Sequence, residues 1–237
     1  MKERLFRFKQ FNVSHGRSAI PIGVDGVLVG AWADCRGDRL LDVGTGCGVI
    51  ALMLAQRNPT AMVDAIDVHR PSVEEAEENF RNSPWSGRLA VKEIPFSALS
   101  SSGEKYDRIV SNPPFFNSGV DSCESDRMKA RHQGELSPYS LLEAGSGILT
   151  EDGRIAMIVP SEMADALTDF AAGKGMTLLR ECYVKDHEGS PEKRVLLEFG
   201  NQPHTETGVT EHLTMFLSSG EPTDRYRRLC GQFYLKF

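Results

Sequence analysis

The residues with the clearest chemical potential stand at positions 112–115 and read Asn-Pro-Pro-Phe. The side-chain oxygen of Asn112 and the backbone carbonyl of Pro113 can each accept a hydrogen bond from an amine, which favours a pyramidal nitrogen with an available lone pair. Pro113 and Pro114 have restricted φ angles and make the turn stiff. Phe115 offers an apolar face on which an unstacked base can lie. We therefore predict that these four residues activate a weakly nucleophilic amino or amide nitrogen.

A glycine-rich segment at positions 42–48, Asp-Val-Gly-Thr-Gly-Cys-Gly, is the second feature. Its glycines stand at every second position between a predicted strand and a predicted helix, so the backbone can approach a ligand. The dinucleotide fingerprint G-x-G-x-x-G is absent, because Val49 stands three residues after Gly46. The spacing instead resembles motif I of S-adenosylmethionine methyltransferases. The residues that we expect to bind this cofactor are Asp42, Gly44, Thr45, Gly46 and Gly48.

Residues after the next two predicted strands extend this cofactor site. Asp67 ends the second strand, where its carboxylate can accept hydrogen bonds from both ribose hydroxyls, and Val68 follows it. The candidates for contact with the cofactor adenine follow the third strand and are Ile94, Pro95, Phe96 and Ser97. Of these we select Pro95 and Phe96, although the segment has no carboxylate. Asn112 is expected to contact the cofactor as well as the substrate.

Strand-like and helix-like segments alternate from residue 39 onward, which is typical of a parallel sheet with crossover helices. We predict strands at 39–43, 62–67, 89–94, 106–111 and 153–159, and helices at 49–57, 72–81, 138–148, 161–174 and 223–229, with Ser161 as an N-cap. Two β-rich runs, 177–185 and 194–199, predict a closing antiparallel hairpin. The expected fold is α/β, a Rossmann-like class I methyltransferase fold with a seven-stranded, mostly parallel sheet and helices on both faces.

Composition limits the class of protein further. Hydrophobic residues make up 40% and charged residues 25% of the 237 residues, which is ordinary for one globular domain. We expect a single domain over 1–237, with an N-terminal arm and cap at 1–34 and a catalytic core at 35–237. No apolar run approaches the roughly 20 residues needed to span a bilayer. The sequence therefore predicts a cytoplasmic protein without a membrane contact, and we expect a monomer.

The five cysteines are widely spaced and form no CxxC pair, so neither disulfides nor a metal site is expected. The net charge of −6 argues against nonspecific coating of nucleic acid, so any RNA contact must come from local basic clusters. The tail contributes one such cluster, with three arginines at 225–228 and Lys236. The residues that we select as RNA contacts belong to the other two clusters: Lys2, Arg4, Arg7 and Lys9, and Arg127, Lys129, Arg131 and His132.

The beginning and end of the chain resemble one family. The run FKQFNVSH at 8–15, followed by GVDGVLVGAW at 23–32, is similar to the opening of the bacterial valine tRNA (adenine-N6) methyltransferases. The ending FYLKF at 233–237 is also similar. The resemblance implies methylation of the adenosine at position 37 of a valine tRNA, in the anticodon loop. It also implies that Gln10, His15 and Gly23 lie near the cofactor as part of a lid, which can carry basic residues toward the RNA.

The Asn-Pro-Pro-Phe motif alone leaves other functions open. Protein glutamine methyltransferases use it on a side-chain amide, but they usually carry a helical N-terminal domain. Guanine-N2 rRNA methyltransferases use it as well, and they are often duplicated. A catalytically silent RNA-binding module is the alternative from another class, and the intact glycine motif, Asp67 and Asn112 argue against it.

Overall fold

The computed structural model describes residues 4–19, 21–115, 136–201 and 208–237. Its centre is an eight-stranded sheet whose strand order is β10-β8-β9-β7-β6-β3-β4-β5. The strands are β3 (Arg39–Val43), β4 (Met62–Asp67), β5 (Leu89–Glu93), β6 (Tyr106–Ser111), β7 (Leu149–Pro160), β8 (Met176–His187), β9 (Glu192–Asn201) and β10 (Val209–Phe216). Strands β3 to β7 pair in parallel, and β9 is antiparallel to both β7 and β8. The predicted fold class and the closing hairpin are confirmed.

The sheet has eight strands instead of the predicted seven. The additional strand, β10, pairs in parallel with β8 at the edge, from Val209↔Arg180 to Phe216↔His187. The residue pattern of a strand does not reveal which strand it will pair with in a sheet. The pairing partner follows from the tertiary structure, because the β8–β9 hairpin leaves β8 with an open edge.

Seven α-helices connect and cover the strands in the described ranges. They are α1 (Val24–Trp32), α2 (Val49–Arg57), α3 (Arg70–Arg81), α4 (Phe96–Ser100), α5 (Pro138–Gly145), α6 (Ala164–Ala172) and α7 (Asp224–Cys230). None of them has the length and apolar character that crossing a bilayer requires. Ser161 is not an α-helical N-cap, because it begins a short 3₁₀ turn and its hydroxyl donates to the carbonyl of Glu192.

The sheet separates two hydrophobic cores, as expected when helices cover both faces. Alternate residues of β3 point to opposite faces: Leu40 belongs to the core that α1 and α2 cover, and Leu41 belongs to the core on the α5 and α6 side. Both leucines are fully buried. The ends of β3, β4 and β6 are therefore held firmly, and these ends carry the predicted site residues.

The N-terminal region is packed into the molecule to a larger extent than an arm would be. Residues Leu5–Arg7 (β1) and Asn12–Ser14 (β2) form an antiparallel hairpin. The rings of Phe8 and Phe11 stack at 4.6 Å, and both side chains are buried. Phe8 also forms a bridge with Tyr234, so the beginning and the end of the chain pack together. Helix α1 then contributes Leu28 to the same core as β3.

Candidate active site

A cavity of about 570 Å³ opens at the carboxyl ends of the parallel strands. This volume lies in the range that binds a cofactor-sized molecule, and the position is where ligands bind in open α/β sheets. Four parts of the chain build its walls. They are residues 19 and 21–26, the glycine-rich loop 43–50, residues 66–72 at the end of β4 and beyond it, and residues 94–96. Asn112, Pro114 and Leu136 line the remaining side.

The glycine-rich loop between β3 and α2 forms the floor of the cavity. Gly44, Gly46 and Gly48 have φ values of 71°, 56° and 86°, in the left-handed region that residues with a Cβ rarely adopt. The loop is tied to the end of β4, because the N–H groups of Gly44 and Thr45 donate to the carbonyl of Ile66 at 2.9 and 3.0 Å. Gly44, Thr45 and Gly46 all line the cavity, as the motif predicts.

The three glycines have different neighbours, however. A Cβ on Gly46 would meet nothing within 4 Å, so the loop leaves free space above this residue where a ligand can lie. A Cβ on Gly44 would come within 2.7 Å of Leu136. A Cβ on Gly48 would lie 2.5 Å from the ring of Phe80 on α3, and Gly48 does not line the cavity. Gly48 thus serves the start of α2 and its close packing, and not the direct ligand contact that the motif suggested.

Asp67 lies at the cavity wall, at the end of β4. Its Oδ2 accepts a hydrogen bond from the N–H of Gly46 at 2.9 Å, and its Oδ1 accepts one from the N–H of His69 at 2.8 Å. Each carboxylate oxygen has a further lone pair available for a ligand hydroxyl. Val68 also lines the cavity, and it is 68% exposed. The arrangement suits a ribose with two adjacent hydroxyls.

Asp42 was predicted to contact the cofactor, but it is fully buried beneath the loop and does not line the cavity. Its Oδ2 accepts hydrogen bonds from the hydroxyl of Thr45 at 2.6 Å and from the N–H of Ala51 at 3.1 Å. Burial raises the pKa of Asp42 to about 7, although these two hydrogen bonds oppose the rise. Asp42 therefore supports the loop and the first turn of α2 from below.

An apolar wall follows β5. Ile94, Pro95 and Phe96 line the cavity, whereas Ser97 does not. Pro95 is the N-cap of α4, and Phe96 is buried in the core beside this helix. The wall can hold a flat, apolar ring by van der Waals contact.

The Asn-Pro-Pro-Phe segment begins where β6 ends. The hydroxyl of Ser111 donates to the carbonyl of Val43 at 2.7 Å and fixes this strand end beside the glycine-rich loop. Asn112 and Pro114 line the cavity, Pro113 is buried, and Phe115 is 39% exposed. Within the described ranges, the Asn112 side chain has no hydrogen-bond partner, so its amide is available to a ligand. The segment therefore presents a polar acceptor inside the cavity and an aromatic face outside.

Two of the three residues implied as lid contacts lie away from the cavity. Gly23 lines the cavity as the N-cap of α1. Gln10 is exposed, because the hairpin turns its aromatic residues inward and this residue outward. The backbone N–H of His15 donates to the carbonyl of Arg4 within the hairpin, and its side chain does not reach the cavity wall.

The structure describes only part of the predicted RNA contacts. Arg4 and Arg7 are exposed on the hairpin. Lys9 is also exposed, but its Nζ donates to the carbonyl of Gly231 at 2.6 Å, so it joins the hairpin to the C-terminal segment. The remaining predicted contacts lie outside the described residues: Lys2, Arg127, Lys129, Arg131 and His132.

Sequence reasoning missed several residues of the cavity wall. Ile22 and Gly26 belong to it because the chain before α1 runs past the glycine-rich loop, and Leu136 belongs to it through its approach to Gly44. Ser72 is a wall residue at the first turn of α3.

Comparison with known proteins agrees with this geometry. Residues 25–168 match the model of the methyltransferase small domain family. A tRNA1(Val) (adenine(37)-N6)-methyltransferase of Parabacteroides distasonis is 38% identical, and the alignment covers 100% of both chains. The enzyme of the same name from Vibrio parahaemolyticus is also 38% identical over 98% of this chain and 95% of its own.

Solved structures show the same fold. A predicted O-methyltransferase from Agrobacterium tumefaciens superimposes with a TM-score of 0.70 at 18% identity, covering 88% of this chain and 96% of its own. A ribosomal protein L11 methylase from Lactobacillus delbrueckii subsp. bulgaricus gives a TM-score of 0.54 at 18% identity, covering 75% of this chain and 77% of its own. The structural likeness gives the fold, and the full-length sequence likeness gives the family. The chain belongs to the tRNA1(Val) (adenine(37)-N6)-methyltransferase family.

Proposed function

We propose that this protein transfers the methyl group of S-adenosyl-L-methionine to the N6 amine of adenosine 37 in the anticodon loop of a valine tRNA. The observation that carries the proposal is the position of Asn112, which lines the same cavity as Asp67 and the glycine-rich loop. The names of the full-length relatives support adenine in tRNA over guanine in rRNA or glutamine in a protein.

The walls of the cavity fit the cofactor. The open lone pairs of Asp67 would accept hydrogen bonds from the ribose hydroxyls, and Pro95 and Phe96 would contact the adenine. The free space above Gly46 allows the ligand to lie close to the backbone of the glycine-rich loop. When bound, S-adenosyl-L-methionine supplies a methyl group on a positively charged sulfur.

Asn112 and Pro113 would prepare the substrate amine. The Asn112 side-chain oxygen and the Pro113 carbonyl would each accept one amine hydrogen bond, which draws the nitrogen lone pair out of conjugation and holds it toward the methyl group. Phe115 would stack against the extruded adenine, since its ring is partly exposed and it directly follows Pro114, which lines the cavity. A strong general base is not needed, because the amine can lose its proton after methylation.

We infer that exposed basic residues of the hairpin, Arg4 and Arg7, contact phosphates of the tRNA. Lys2, Lys9, Arg127, Lys129, Arg131 and His132 are the further phosphate contacts that we propose from the sequence. We propose that the enzyme acts as a monomer in the cytoplasm, the compartment that holds its tRNA substrate. Sedimentation equilibrium at micromolar concentration measures the mass in solution, which should be that of one chain, 26.2 kDa.

The direct test is methyl transfer from labelled S-adenosyl-L-methionine to an unmodified valine tRNA transcript, followed by digestion and identification of the labelled nucleoside. We expect the label in N6-methyladenosine at position 37. A transcript with guanosine at position 37 is the matched control, and it should accept no label. Label in a guanine N2 position, or in protein glutamine, would overturn the proposal.

A further inference from the structure

Helix α3 presents three polar side chains that are almost completely buried. Ser72 and Glu75 are each 1% exposed, and Asn79 is 4% exposed. Their spacing puts them on one face of the helix. This face is turned toward the backbone of residues 14–19, a segment that continues from the N-terminal hairpin and contains no regular structure after Ser14.

Glu75 makes the strongest set of contacts. Its Oε1 accepts hydrogen bonds from the N–H groups of Gly16 and Arg17 at 2.8 and 3.0 Å, and its Oε2 accepts one from the N–H of Ser18 at 2.8 Å. Three successive backbone donors thus converge on one buried carboxylate. Hydrogen bonds to an ionised acceptor are about twice as strong as neutral ones, so this one side chain determines the path of the segment.

Asn79 and Ser72 extend this attachment in both directions. The Asn79 Oδ1 accepts from the N–H of Ser14 at 2.9 Å, and its Nδ2 donates to the carbonyls of Ser14 and Cys47, both at 2.8 Å. The Ser72 hydroxyl accepts from the N–H of Ala19 at 3.3 Å. Cys47 belongs to the glycine-rich floor of the cavity, and Ala19 also lines the cavity. One face of α3 is therefore hydrogen-bonded both to the glycine-rich loop and to the segment that ends at Ala19.

We propose that Glu75, assisted by Asn79 and Ser72, is a positioning residue that holds residues 14–19 so that Ala19, Pro21, Ile22 and Gly23 form one wall over the bound cofactor. This inference rests on the proposed use of the cavity for S-adenosyl-L-methionine. Glu75 itself does not line the cavity, so it acts through the segment. Without the Glu75 carboxylate, residues 14–19 would hold this position for only part of the time. The apparent affinity for the cofactor would then fall by that fraction.

The test uses the full-length Glu75→Gln variant and S-adenosylhomocysteine as the probe. We expect the dissociation constant from calorimetry to rise about tenfold, mainly through faster dissociation, because a charge-assisted network becomes a neutral one. Hydrogen exchange of the amides of Gly16, Arg17 and Ser18 should accelerate in the free variant. The KM for S-adenosyl-L-methionine should rise, while kcat at a saturating concentration stays close to that of the wild type.

The matched control is Glu77→Gln, on the same helix, where the carboxylate is exposed and pairs with Arg81. This variant should behave as the wild type in every measurement. If Glu75→Gln does not fold, Asn79→Asp replaces it, because aspartate keeps the acceptor for Ser14 but loses the donor to Cys47.

The outcomes separate this inference from the proposed function. Unchanged dissociation of S-adenosylhomocysteine from the variant, or unchanged exchange of the three amides, would overturn the positioning role alone. A lower melting temperature without faster dissociation would mean that Glu75 only stabilises the fold, and it would overturn the inference as well. A wild-type protein that does not bind S-adenosylhomocysteine would instead overturn the proposed use of the cavity.

Discussion

Buried carboxyl groups lie near both ends of the central sheet. At one end their hydrogen-bond donors are neutral, and at the other end they are positively charged. At the carboxyl ends of the parallel strands, Asp42 accepts hydrogen bonds from a hydroxyl and a backbone N–H. Toward the amino ends, Glu198 accepts two from Arg180, both at 3.0 Å, and one from Arg154 at 3.1 Å. We call the second group the amino-end cluster; it contains Asp34, Arg108, Arg154, Arg180 and Glu198.

The partners decide the charge of each carboxyl group. Burial raises the pKa of Asp42 to about 7, because neutral donors cannot replace the lost hydration. Burial acts to raise the pKa of Glu198, but the hydrogen bond and charge of Arg180, the N–H of Asp34 and the hydrogen bond of Arg154 together outweigh burial and lower the pKa below its usual value. In Asp34, hydrogen bonds from Arg36 and the charge of Arg108 likewise outweigh burial and lower the pKa.

The two regions also differ in how many of their polar groups remain available to a ligand. The amino-end cluster pairs its charges internally, and Arg180 additionally lies 3.9 Å above the ring of Trp32. Among the described residues, the carboxyl ends of the parallel strands keep further lone pairs on Asp67 and a side-chain amide on Asn112 without a hydrogen-bond partner. Substitutions in the amino-end cluster should therefore change stability, whereas substitutions at the cavity should change binding or rate.

Glu198→Ala should have the largest effect. Removing this carboxylate leaves the guanidinium groups of Arg154 and Arg180 without their buried partner, which costs about 3–5 kcal/mol in the free energy of unfolding. Urea denaturation measures the loss. Glu74→Ala, which removes an exposed pair with Arg70, is the control and should cost at most about 0.5 kcal/mol. Equal losses of stability in the two variants would contradict a stabilising role of the ion pairs within the amino-end cluster.

Asn112→Ala should lower the rate of methyl transfer to tRNA about 100-fold or more, comparable with removing one positioned polar group from an active site. The urea midpoint should change little, because the side chain has no partner in the described structure. Any loss of affinity for S-adenosylhomocysteine should be small beside the loss of rate. Asn112→Asp keeps an acceptor oxygen and should restore part of the rate. Undiminished transfer by the alanine variant would remove Asn112 from the chemistry.

Asp67→Ala should weaken the binding of S-adenosylhomocysteine by about tenfold to a hundredfold, since hydrogen bonds to a charged acceptor contribute about 1.5–3 kcal/mol. Calorimetry measures the change. The control is Asp64→Ala on the same strand, whose carboxylate bonds to Arg39 and Tyr106 and does not line the cavity. Equal affinities of the Asp67 and Asp64 variants would place the ribose elsewhere.

Asp42→Asn should change the pH dependence of stability, and over any single pH unit this is the smallest of the four effects. The pKa of Asp42 is raised from 3.8 to about 7 on folding, so the folded protein holds more protons than the unfolded chain between these values. Asp42 therefore makes stability fall as pH rises through this window, by at most about 1.4 kcal/mol per pH unit. Relative to the asparagine variant, the wild type should lose stability between pH 4 and 7. A constant difference in unfolding free energy would contradict the raised pKa.

Much of the site could be predicted because its signals are local. The strands 39–43, 62–67 and 106–111 and the helix 49–57 have the predicted bounds, since apolar runs flanked by turn residues specify them directly. Motif spacing identified Gly44, Gly46, Asp67 and Asn112 as neighbours, because the carboxyl ends of adjacent parallel strands meet at one edge. The family resemblance at 8–32 is carried by sequence alone and agrees with the full-length relatives.

The hairpin at 5–14 and helix α1 could not be predicted in the same way. Their aromatic and glycine-containing sequences have no clear period, and their structure depends on distant partners such as Tyr234 and α2. The same reason explains Gln10, which the resemblance put near the cofactor. Its exposure follows from the inward packing of Phe8 and Phe11, which is a tertiary contact.

The sequence by itself determined the α/β fold, the glycine-rich loop and the place of Asn112 at the end of a strand, because each depends on residue types at short spacing. Only the tertiary structure decided which of the buried carboxyl groups carry a charge and what Glu75 does. Asp42 and Glu198 both follow from sequence as acids in strands, and the guanidinium groups that distinguish them come from separate strands. The charge state of a carboxyl group and the positioning role of Glu75 depend on neighbours that the fold brings together. The spacing of residues along the chain does not reveal these neighbours.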